Sequence, residues 1–322
     1  MEHFDTYCDL AFLERFVEGA PDPFSGGEMG EVWHKVKNFF QKDTNLHVDA
    51  SCEDLSERAA RIITYRPGSR TEAYCDPDVL DYFEERATPH TFFLVENTDA
   101  VPETLSRQFG AQPLSYEGFF DVWSRIGSYE LRLVSSREKG GKQISSWEDL
   151  EKFAAPTQRL IVCDRYMFTE NENGEGEEGE ESRPEDNIFK LVSRLLPKRG
   201  RLKKHVTLVG RPGDPVKWRR CLKEFLKREG FELDRVSVCV ARPGETYHDR
   251  HIFTDYGLFI SGNSFNYFNE SGRVREKAET ILAFLPLVEP EILAIANDKL
   301  DELQKGIRTA PNIAGNPKWL SR

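Results

Sequence analysis

Hydrophobic positions follow a helical period in two segments of the first half of the chain and form short runs in two others. Helical spacing covers residues 10–17 and 32–40, while residues 91–95 and 129–134 have the β-branched and aromatic composition of strands. The first half is therefore predicted to be a mixed α/β domain.

The second half alternates strands and helices more regularly. The predicted order is a strand at 160–163, a helix at 187–196, a strand at 206–209, a helix at 215–229, a strand at 236–240 and a hairpin within 252–260. Right-handed crossovers make the three strands parallel, with helices on both faces of the sheet, and bring their carboxyl ends to one edge. A site is expected at that edge. Asp164 and Arg165 follow the first strand, and they either border this site or form a structural ion pair.

The fold class is thus α/β, and the pattern breaks once, near a Gly-Gly pair at 140–141. The predicted divisions are a first domain of unknown role at 1–140, a linker with a short helix at 141–157, a second domain at 158–270, and C-terminal helices with a tail at 271–322. Helical spacing in the last segment predicts helices at 273–285 and 291–304.

The composition is typical of a soluble protein with a hydrophobic core. The 322 residues are 39% hydrophobic and 31% charged, and no apolar run approaches the length of a membrane-spanning helix. The start of the chain lacks the basic and apolar regions of a signal peptide, so we expect a cytoplasmic location. The six cysteines are scattered singly, without metal-ligand spacing, and a disulfide scaffold, a zinc finger or another metal site is not expected.

Charge is distributed unevenly along this acidic chain, whose net charge is −11. Residues 170–186 hold nine acids and one base, whereas residues 187–250 hold seventeen Lys and Arg against seven acids. The acidic stretch is nearly free of hydrophobic side chains and is predicted to be a mobile surface loop. The basic segment is either the solvated face of ordinary helices or a surface that faces phosphates.

Chemistry concentrates around the predicted hairpin. On a strand, His248 and Arg250 point to one side, while His251 points to the other and is expected to pack. A guanidinium holds two phosphate oxygens, and a neighbouring imidazole exchanges a proton or attacks phosphorus. Gly262, with the polar residues that follow it, could bring backbone N–H groups and short side chains to the same anion. Those polar residues are Asn263, Ser264 and Asn266.

The spacing His248-x-Arg250-x4-Asp255 resembles the His-x-Lys-x4-Asp motif of the phospholipase D superfamily, in which Gly-Ser-x-Asn follows at a similar distance. The resemblance covers roughly residues 158–270. It implies that His248 is the nucleophile or the acid, that Arg250 clamps a phosphate oxygen and that Asp255 holds the site. It also implies hydrolysis through a phosphohistidine, with no cofactor.

Three departures from that motif affect the expected function. Arg250 stands where the family has Lys, and its planar guanidinium contacts phosphate oxygens with a different geometry from that of an ammonium. Ser264 and Asn266 each stand one position later than the family pattern. The sequence carries one such motif, which implies a homodimer or an inactive site. The pattern is also similar to the C-terminal phospholipase-D-like domains of microtubule-interacting-and-trafficking proteins, whose animal members bind anionic membranes and are thought not to be catalytic.

Further basic residues, some of them around Trp218, suit single-stranded nucleic acid or anionic lipid. They include Arg199, Arg201, Lys203, Lys204, Arg211, Arg219 and Arg220. In the first half, scattered acids suggest a weaker alternative, a metal nuclease of the PIN type that holds magnesium. These acids are Asp5, Asp9, Asp49, Glu53, Asp54 and Glu96.

Two functions follow from these patterns. The first is a phosphodiester-recognising, metal-independent nuclease that acts as a homodimer with nucleic acid as its partner, and it would suit a role in bacterial defence. The second is a non-catalytic module that binds anionic lipid, nucleic acid or a partner protein.

Overall fold

The structure is a computed structural model. It describes residues 4–21, 28–69, 71–86, 91–97, 113–116, 118, 129–133, 144–153, 157–168, 183–198, 203–211, 213–242, 250–275, 280–287, 289–308 and 313–317. The chain divides into two compact units, a first unit of residues 1–127 and a second unit of residues 128–321. This division lies earlier in the chain than the linker predicted at 141–157.

The first unit contains a five-stranded sheet whose neighbouring strands are all parallel. Its strands are β1 (Phe4–Asp9), β2 (Thr44–Asp49), β3 (Ala73–Cys75), β4 (Thr91–Leu94) and β5 (Pro113–Leu114), in the spatial order β3-β2-β1-β4-β5. Its helices are α1 (Leu10–Glu18), α2 (Glu28–Lys42), α3 (Glu57–Thr64) and α4 (Phe83–Arg86). Asp9 caps α1 by accepting the N–H of Phe12 at 2.6 Å, and Phe12 and Phe16 are fully buried. The two predicted helices and the strand at 91–95 are confirmed.

Two of the six cysteines form a disulfide in the first unit. Cys52 lies in a 3₁₀ turn and Cys75 ends β3, with their Cα atoms 5.5 Å apart. Their separation of 23 residues in the sequence gave no signal of the pairing. The disulfide links the turn after β2 to the edge strand of the sheet.

The second unit contains an eight-stranded mixed sheet. Its strands are β6 (Tyr129–Leu133), β7 (Arg159–Cys163), β8 (Lys204–Val209), β9 (Val236–Ala241), β10 (His251–Phe253), β11 (Gly257–Ser261), β12 (Thr280–Pro286) and β13 (Ile313–Ala314), in the spatial order β13-β9-β8-β7-β10-β11-β12-β6. Its helices are α5 (Lys190–Leu195), preceded by a π-helical turn, α6 (Pro215–Arg228) and α7 (Pro290–Arg308). Strands β7, β8 and β9 are parallel, and β10 and β11 form an antiparallel hairpin. The predicted strand–helix alternation and the hairpin are confirmed.

The core of the second unit covers both faces of its central strand, β7. Ile161 and Cys163 belong to a buried cluster with Leu300 and Leu303 of α7. The alternate residues of the strand are fully buried as well. A strand buried on both faces has a continuous apolar run, which explains why residues 160–163 are hydrophobic without alternation.

One predicted helix is wrong. Residues 280–286 form β12, which pairs with β11 on one side and β6 on the other. The side chains of Leu282 and Phe284 are buried while Ile281 is exposed, so the segment follows the two-residue period of a strand. A short apolar run does not distinguish the two periods, and the pairing partners decided the outcome. The helix predicted at 291–304 is confirmed as part of α7.

The predicted acidic loop at 170–186 falls mostly on residues 169–182, which lie outside the described residues. In the part of the chain that the structure describes, no helix has the length and apolar character needed to cross a membrane.

Candidate phosphate-binding edge

Five strand ends of the second unit meet at one edge of its sheet. In register, Cys163 of β7 pairs with Val209 of β8 and with His251 of β10, and Val209 pairs with Ala241 of β9. Strand β11 returns to the same edge at Ser261, whose N–H donates to the carbonyl of Arg250 at 3.0 Å. The residues just beyond these ends are therefore neighbours, as the strand-end argument predicts.

Asp164 is the buried centre of this edge. Its Oδ2 accepts the hydroxyl of Ser264 at 2.5 Å and the N–H of Phe265 at 2.7 Å, and its Oδ1 accepts the N–H of Tyr166 at 2.9 Å. Burial raises the pKa of this carboxyl above its usual value, and these hydrogen bonds and the charge of Arg250 oppose the shift. Asp164 therefore organises the loops of the edge and is covered by them.

The loop after β11 is held by its own short polar side chains. The hydroxyl of Ser261 donates to the carbonyl of Asn263 at 2.5 Å and is hydrogen-bonded to the Tyr267 hydroxyl. Asn266 donates from Nδ2 to the carbonyl of Tyr166 at 2.9 Å. A Cβ at Gly262 would lie 2.6 Å from the Thr280 hydroxyl oxygen, so a side chain there would force a local shift.

Arg250 brings a positive charge to this edge. Its Nη1 donates to the carbonyl of Gly262 at 3.2 Å, and its charge acts on both Asp164 and Tyr267. Its Nε is buried without a hydrogen-bond acceptor among the described residues. A guanidinium has five N–H donors, and its planar fork can bind two oxygens of an anion in parallel.

Three more arginines follow the ends of the parallel strands. Arg165 is the second residue after β7, Arg211 is the second residue after β8, and Arg242 comes directly after β9. The N–H of Arg211 donates to the carbonyl of Arg165 at 3.3 Å, and Arg211 and Arg242 are exposed. We call Arg165, Arg211, Arg242 and Arg250 the basic edge.

A close approach of two backbone segments supports the basic edge. A Cβ at Gly210 would lie 2.6 Å from the backbone carbonyl oxygen of Asp164, because the chain leaving β8 passes directly beside the end of β7. Glycine is the residue that allows this contact without displacing the backbone.

The structure brings some of the predicted site residues together, but not all of them. His248 lies outside the described residues. Arg250, Gly262, Asn263, Ser264 and Asn266 come together at one edge, but the Ser264 and Asn266 side chains bond to Asp164 and to the Tyr166 carbonyl.

Asp255 lies at the opposite edge of the sheet. Its Oδ2 accepts the N–H groups of Gln158 at 2.5 Å and Arg159 at 2.8 Å, at the start of β7. Its Oδ1 accepts no hydrogen bond among the described residues and lies 3.7 Å from Arg159 Nε. Burial, opposed by these partners, raises the pKa of Asp255 to about 6. This placement favours a structural role for Asp255 in the hairpin turn over contact with a ligand at the basic edge.

The described members of the basic set predicted to bind nucleic acid are spread over both edges of the sheet and over α6. Arg211 is part of the basic edge, whereas Lys203 and the buried Lys204 stand at the start of β8, at the opposite edge. Arg219 and Arg220 lie on α6, where Arg219 donates to the carbonyl of Val238 at 2.9 Å. Arg199 and Arg201 lie outside the described residues.

Sequence reasoning missed several residues of this edge. Tyr166, Ser261 and Tyr267 were not singled out, although all three lie next to predicted strand ends or inside the motif. Arg242 directly follows a predicted strand, so the strand-end rule could have found it.

The six acids singled out in the sequence of the first unit, all of them described, do not form a metal-binding group. Asp9 and Asp49 are register partners at the ends of β1 and β2, while Asp5 stands at the start of β1. Asp9 is engaged by α1 and by the N–H of Glu96 at 2.8 Å. Among the described residues, no group of three or more His, Cys, Asp or Glu side chains could hold a metal ion.

The first unit also contains a cavity of about 470 Å³ that no sequence pattern predicted. It is lined mainly by side chains of α1, α2 and α3, among them Val17, Trp33, Lys37, Arg58 and Ile62.

Comparison with known proteins gives only weak similarities. No family model and no curated protein matches the chain. The phosphatidylserine synthase of Haemophilus influenzae Rd KW20, a phospholipase D superfamily member, aligns at a TM-score of 0.32 and 16% identity over 56% of this chain and 38% of that protein. TrmBL2, an archaeal chromatin protein with a novel mode of DNA binding, aligns at a TM-score of 0.30 and 8% identity over 55% of this chain and 52% of that protein. The chain thus spans about half or less of each, and neither similarity assigns a family or an activity.

Proposed function

We propose that the second unit binds phosphodiester groups, foremost those of nucleic acid, at the basic edge, and that a pair of chains hydrolyses them without a metal. The observation that carries the proposal is the Arg250 guanidinium, which is hydrogen-bonded through Nη1 to the Gly262 carbonyl at the edge where five strand ends meet. A guanidinium held beside other arginines can bind the oxygens of an anion through its remaining N–H groups.

The charges around Arg250 support the same reading. The other arginines of the basic edge lie on adjacent strand ends, and the nearest buried carboxylate, Asp164, is already engaged by three hydrogen-bond donors. Several cations on neighbouring strand ends suit a polyanion, whose binding releases one counterion for nearly every phosphate contact.

The chemistry of hydrolysis comes from the resemblance in the hairpin motif. The imidazole of His248 in one chain attacks phosphorus, and the leaving oxygen takes a proton from the protonated His248 of the second chain. Water then attacks phosphorus, giving a proton back to the second imidazole, and the phosphorus–nitrogen bond breaks to regenerate the first. Arg250 would bind the non-bridging oxygens throughout.

Binding is tested with labelled single-stranded and double-stranded DNA and RNA over a range of salt concentrations, with EDTA present. We expect binding that weakens as salt rises, and weaker binding by Arg250→Gln. An affinity that is independent of salt, or unaffected by Arg250→Gln, would overturn the proposed binding site.

Cleavage is tested in the same mixtures beside His248→Ala. Cleavage by the native protein that the variant lacks supports the nuclease. Salt-sensitive binding without cleavage by either protein supports the non-catalytic module and overturns hydrolysis. Sedimentation of the native protein with and without an oligonucleotide tests the dimer, because a chain that stays monomeric while cleaving would contradict paired histidines.

A further inference from the structure

An aromatic ring stands exposed beside the basic edge. Tyr166, two residues beyond Asp164, keeps 43% of its surface exposed, whereas Met167 and Phe168 immediately after it are buried. The turn that carries these residues therefore sends its apolar side chains into the core and leaves one ring outside.

The backbone of Tyr166 is fixed on both sides of the ring. Its N–H donates to Asp164 Oδ1 at 2.9 Å, and its carbonyl accepts Asn266 Nδ2 at 2.9 Å. The same carboxylate and the same loop organise the site around Arg250. A ring presented on a fixed backbone loses little conformational freedom when it meets a ligand.

The ring also has a cation beside it. The Arg165 guanidinium carbon lies 5.7 Å from the centre of the Tyr166 ring, within the range of a cation–π contact. Proteins that bind single strands combine two features, cations that contact the phosphate backbone and an exposed aromatic ring. The ring serves any sequence, because every unpaired base has a face that stacks. A lipid headgroup has no such face, and the bases of a duplex are stacked on one another.

We propose that Tyr166 is a stacking platform for an unpaired base, so that the ligand of the basic edge is single-stranded nucleic acid. This inference rests on the proposed function and narrows its substrate class. It assigns the recognition of phosphate to the arginines and the recognition of bases to Tyr166.

The test compares two oligonucleotides of about 12 nucleotides, a length within the usual site sizes. One is a single-stranded DNA of mixed sequence, and the other has the same sugar-phosphate backbone without bases. Their affinities are measured for the native protein and for Tyr166→Ala, Tyr166→Phe and Arg250→Gln. Tyr82→Ala, which removes another exposed tyrosine in the first unit, is the matched control. Thermal unfolding of each variant reports on its folding.

We expect Tyr166→Ala to lose roughly five- to a hundred-fold in affinity for the strand with bases and to bind the abasic strand as the native protein does. Tyr166→Phe, which keeps the ring, should remain within about twofold of the native protein for both strands. Equal affinity of Tyr166→Ala and native protein for the strand with bases would overturn the stacking role, and so would an equal loss on both strands.

Failure of the proposed function gives a different result. If the native protein binds neither strand but binds vesicles containing phosphatidylserine, the nucleic-acid ligand and the role of Tyr166 are both overturned. If both strands bind and only Arg250→Gln lowers their affinity, the phosphate-binding site is supported and the stacking role of Tyr166 is wrong.

Discussion

The Ser264 hydroxyl donates a 2.5 Å hydrogen bond to Oδ2 of Asp164, across one hundred positions of the chain. It ties the loop after β11 to the end of β7, and the N–H of Phe265 strengthens the same connection. Because Asp164 also accepts the N–H of Tyr166, one buried carboxylate fixes both segments that frame the basic edge.

Removing the Ser264 hydroxyl should therefore destabilise the second unit. Ser264→Ala leaves a buried carboxylate oxygen with one donor fewer, and we expect a loss of roughly 1–3 kcal/mol in the free energy of unfolding, measured in urea. Ser271→Ala is the control, because the Ser271 hydroxyl bonds only within an exposed turn and should change stability by less than about 0.5 kcal/mol. Similar effects from the two substitutions would contradict the anchoring role of Asp164.

Replacing Arg250 should change how nucleic-acid binding depends on salt. Arg250→Gln removes one cation from the phosphate contacts, so the slope of log affinity against log salt should fall by about 0.7–0.9, depending on the strand. Arg250→Lys should keep the slope but lose part of the affinity, because an ammonium cannot bind two oxygens in parallel. Both are measured by fluorescence titration from low to physiological salt.

The matched control for Arg250 is Arg235, which immediately precedes β9 and lies at the opposite edge of the sheet. Arg235→Gln also changes the net charge by one but should leave the slope as in the native protein. A slope that falls equally in both variants would show that the strand is bound by overall charge and not at the basic edge.

The buried Asp255 carboxyl should make stability depend on pH near 6. Its pKa is raised to about 6 in the folded protein, from 3.8 in an exposed carboxyl, so the folded state takes up a proton first as the pH falls. Between pH 7 and pH 5 the native protein should gain roughly 1 kcal/mol of unfolding free energy relative to Asp255→Asn. Paired urea denaturations at each pH measure this difference. A difference that stays constant, or falls, over that interval would rule out the raised pKa.

The thiol content should reveal the Cys52–Cys75 disulfide. Protein purified without reductant and then denatured should expose four reactive thiols, and six after reduction. Cys52→Ser should expose an additional thiol before reduction, because it releases Cys75, whereas Cys221→Ser should expose one fewer. Six thiols in the unreduced native protein would show that the pair is not joined.

Much of the second unit was predictable because its elements carry strong local signals. Residues 160–163 form an apolar run, and residues 236–240 are apolar except for Ser237. The helix at 215–229 has a capping Asp214, a Pro at its start and Gly230 beyond its end. The prediction failed at 280–286, where an apolar run without a turn signal fits a helix and a strand alike. Pairing with β11 and β6, which no local signal encodes, made it a strand.

The candidate site was predicted only in part, for a similar reason. The strand-end rule placed Asp164 and Arg165 at the edge, and the motif placed Arg250 and Gly262 there. The same motif grouped Asp255 with them, but β10 and Thr254 separate Asp255 from Arg250 and place it at the far end of the strands. Spacing along a chain identifies residue types suited to a chemistry, and distance in space depends on where the chain turns.

The sequence by itself determined the α/β class, the order of strands and helices from residue 159 to residue 261, and the hairpin with its arginine, because periodicity, caps and turn residues act over a few positions. Tertiary structure alone decided that Ser264 bonds to Asp164, that Tyr166 stays exposed while its neighbours are buried, and that Cys52 meets Cys75. The Ser264–Asp164 and Cys52–Cys75 contacts join segments that sheet pairing brings together, and the exposure of Tyr166 depends on which segments pack over its ring. Local sequence signals carry no information about either.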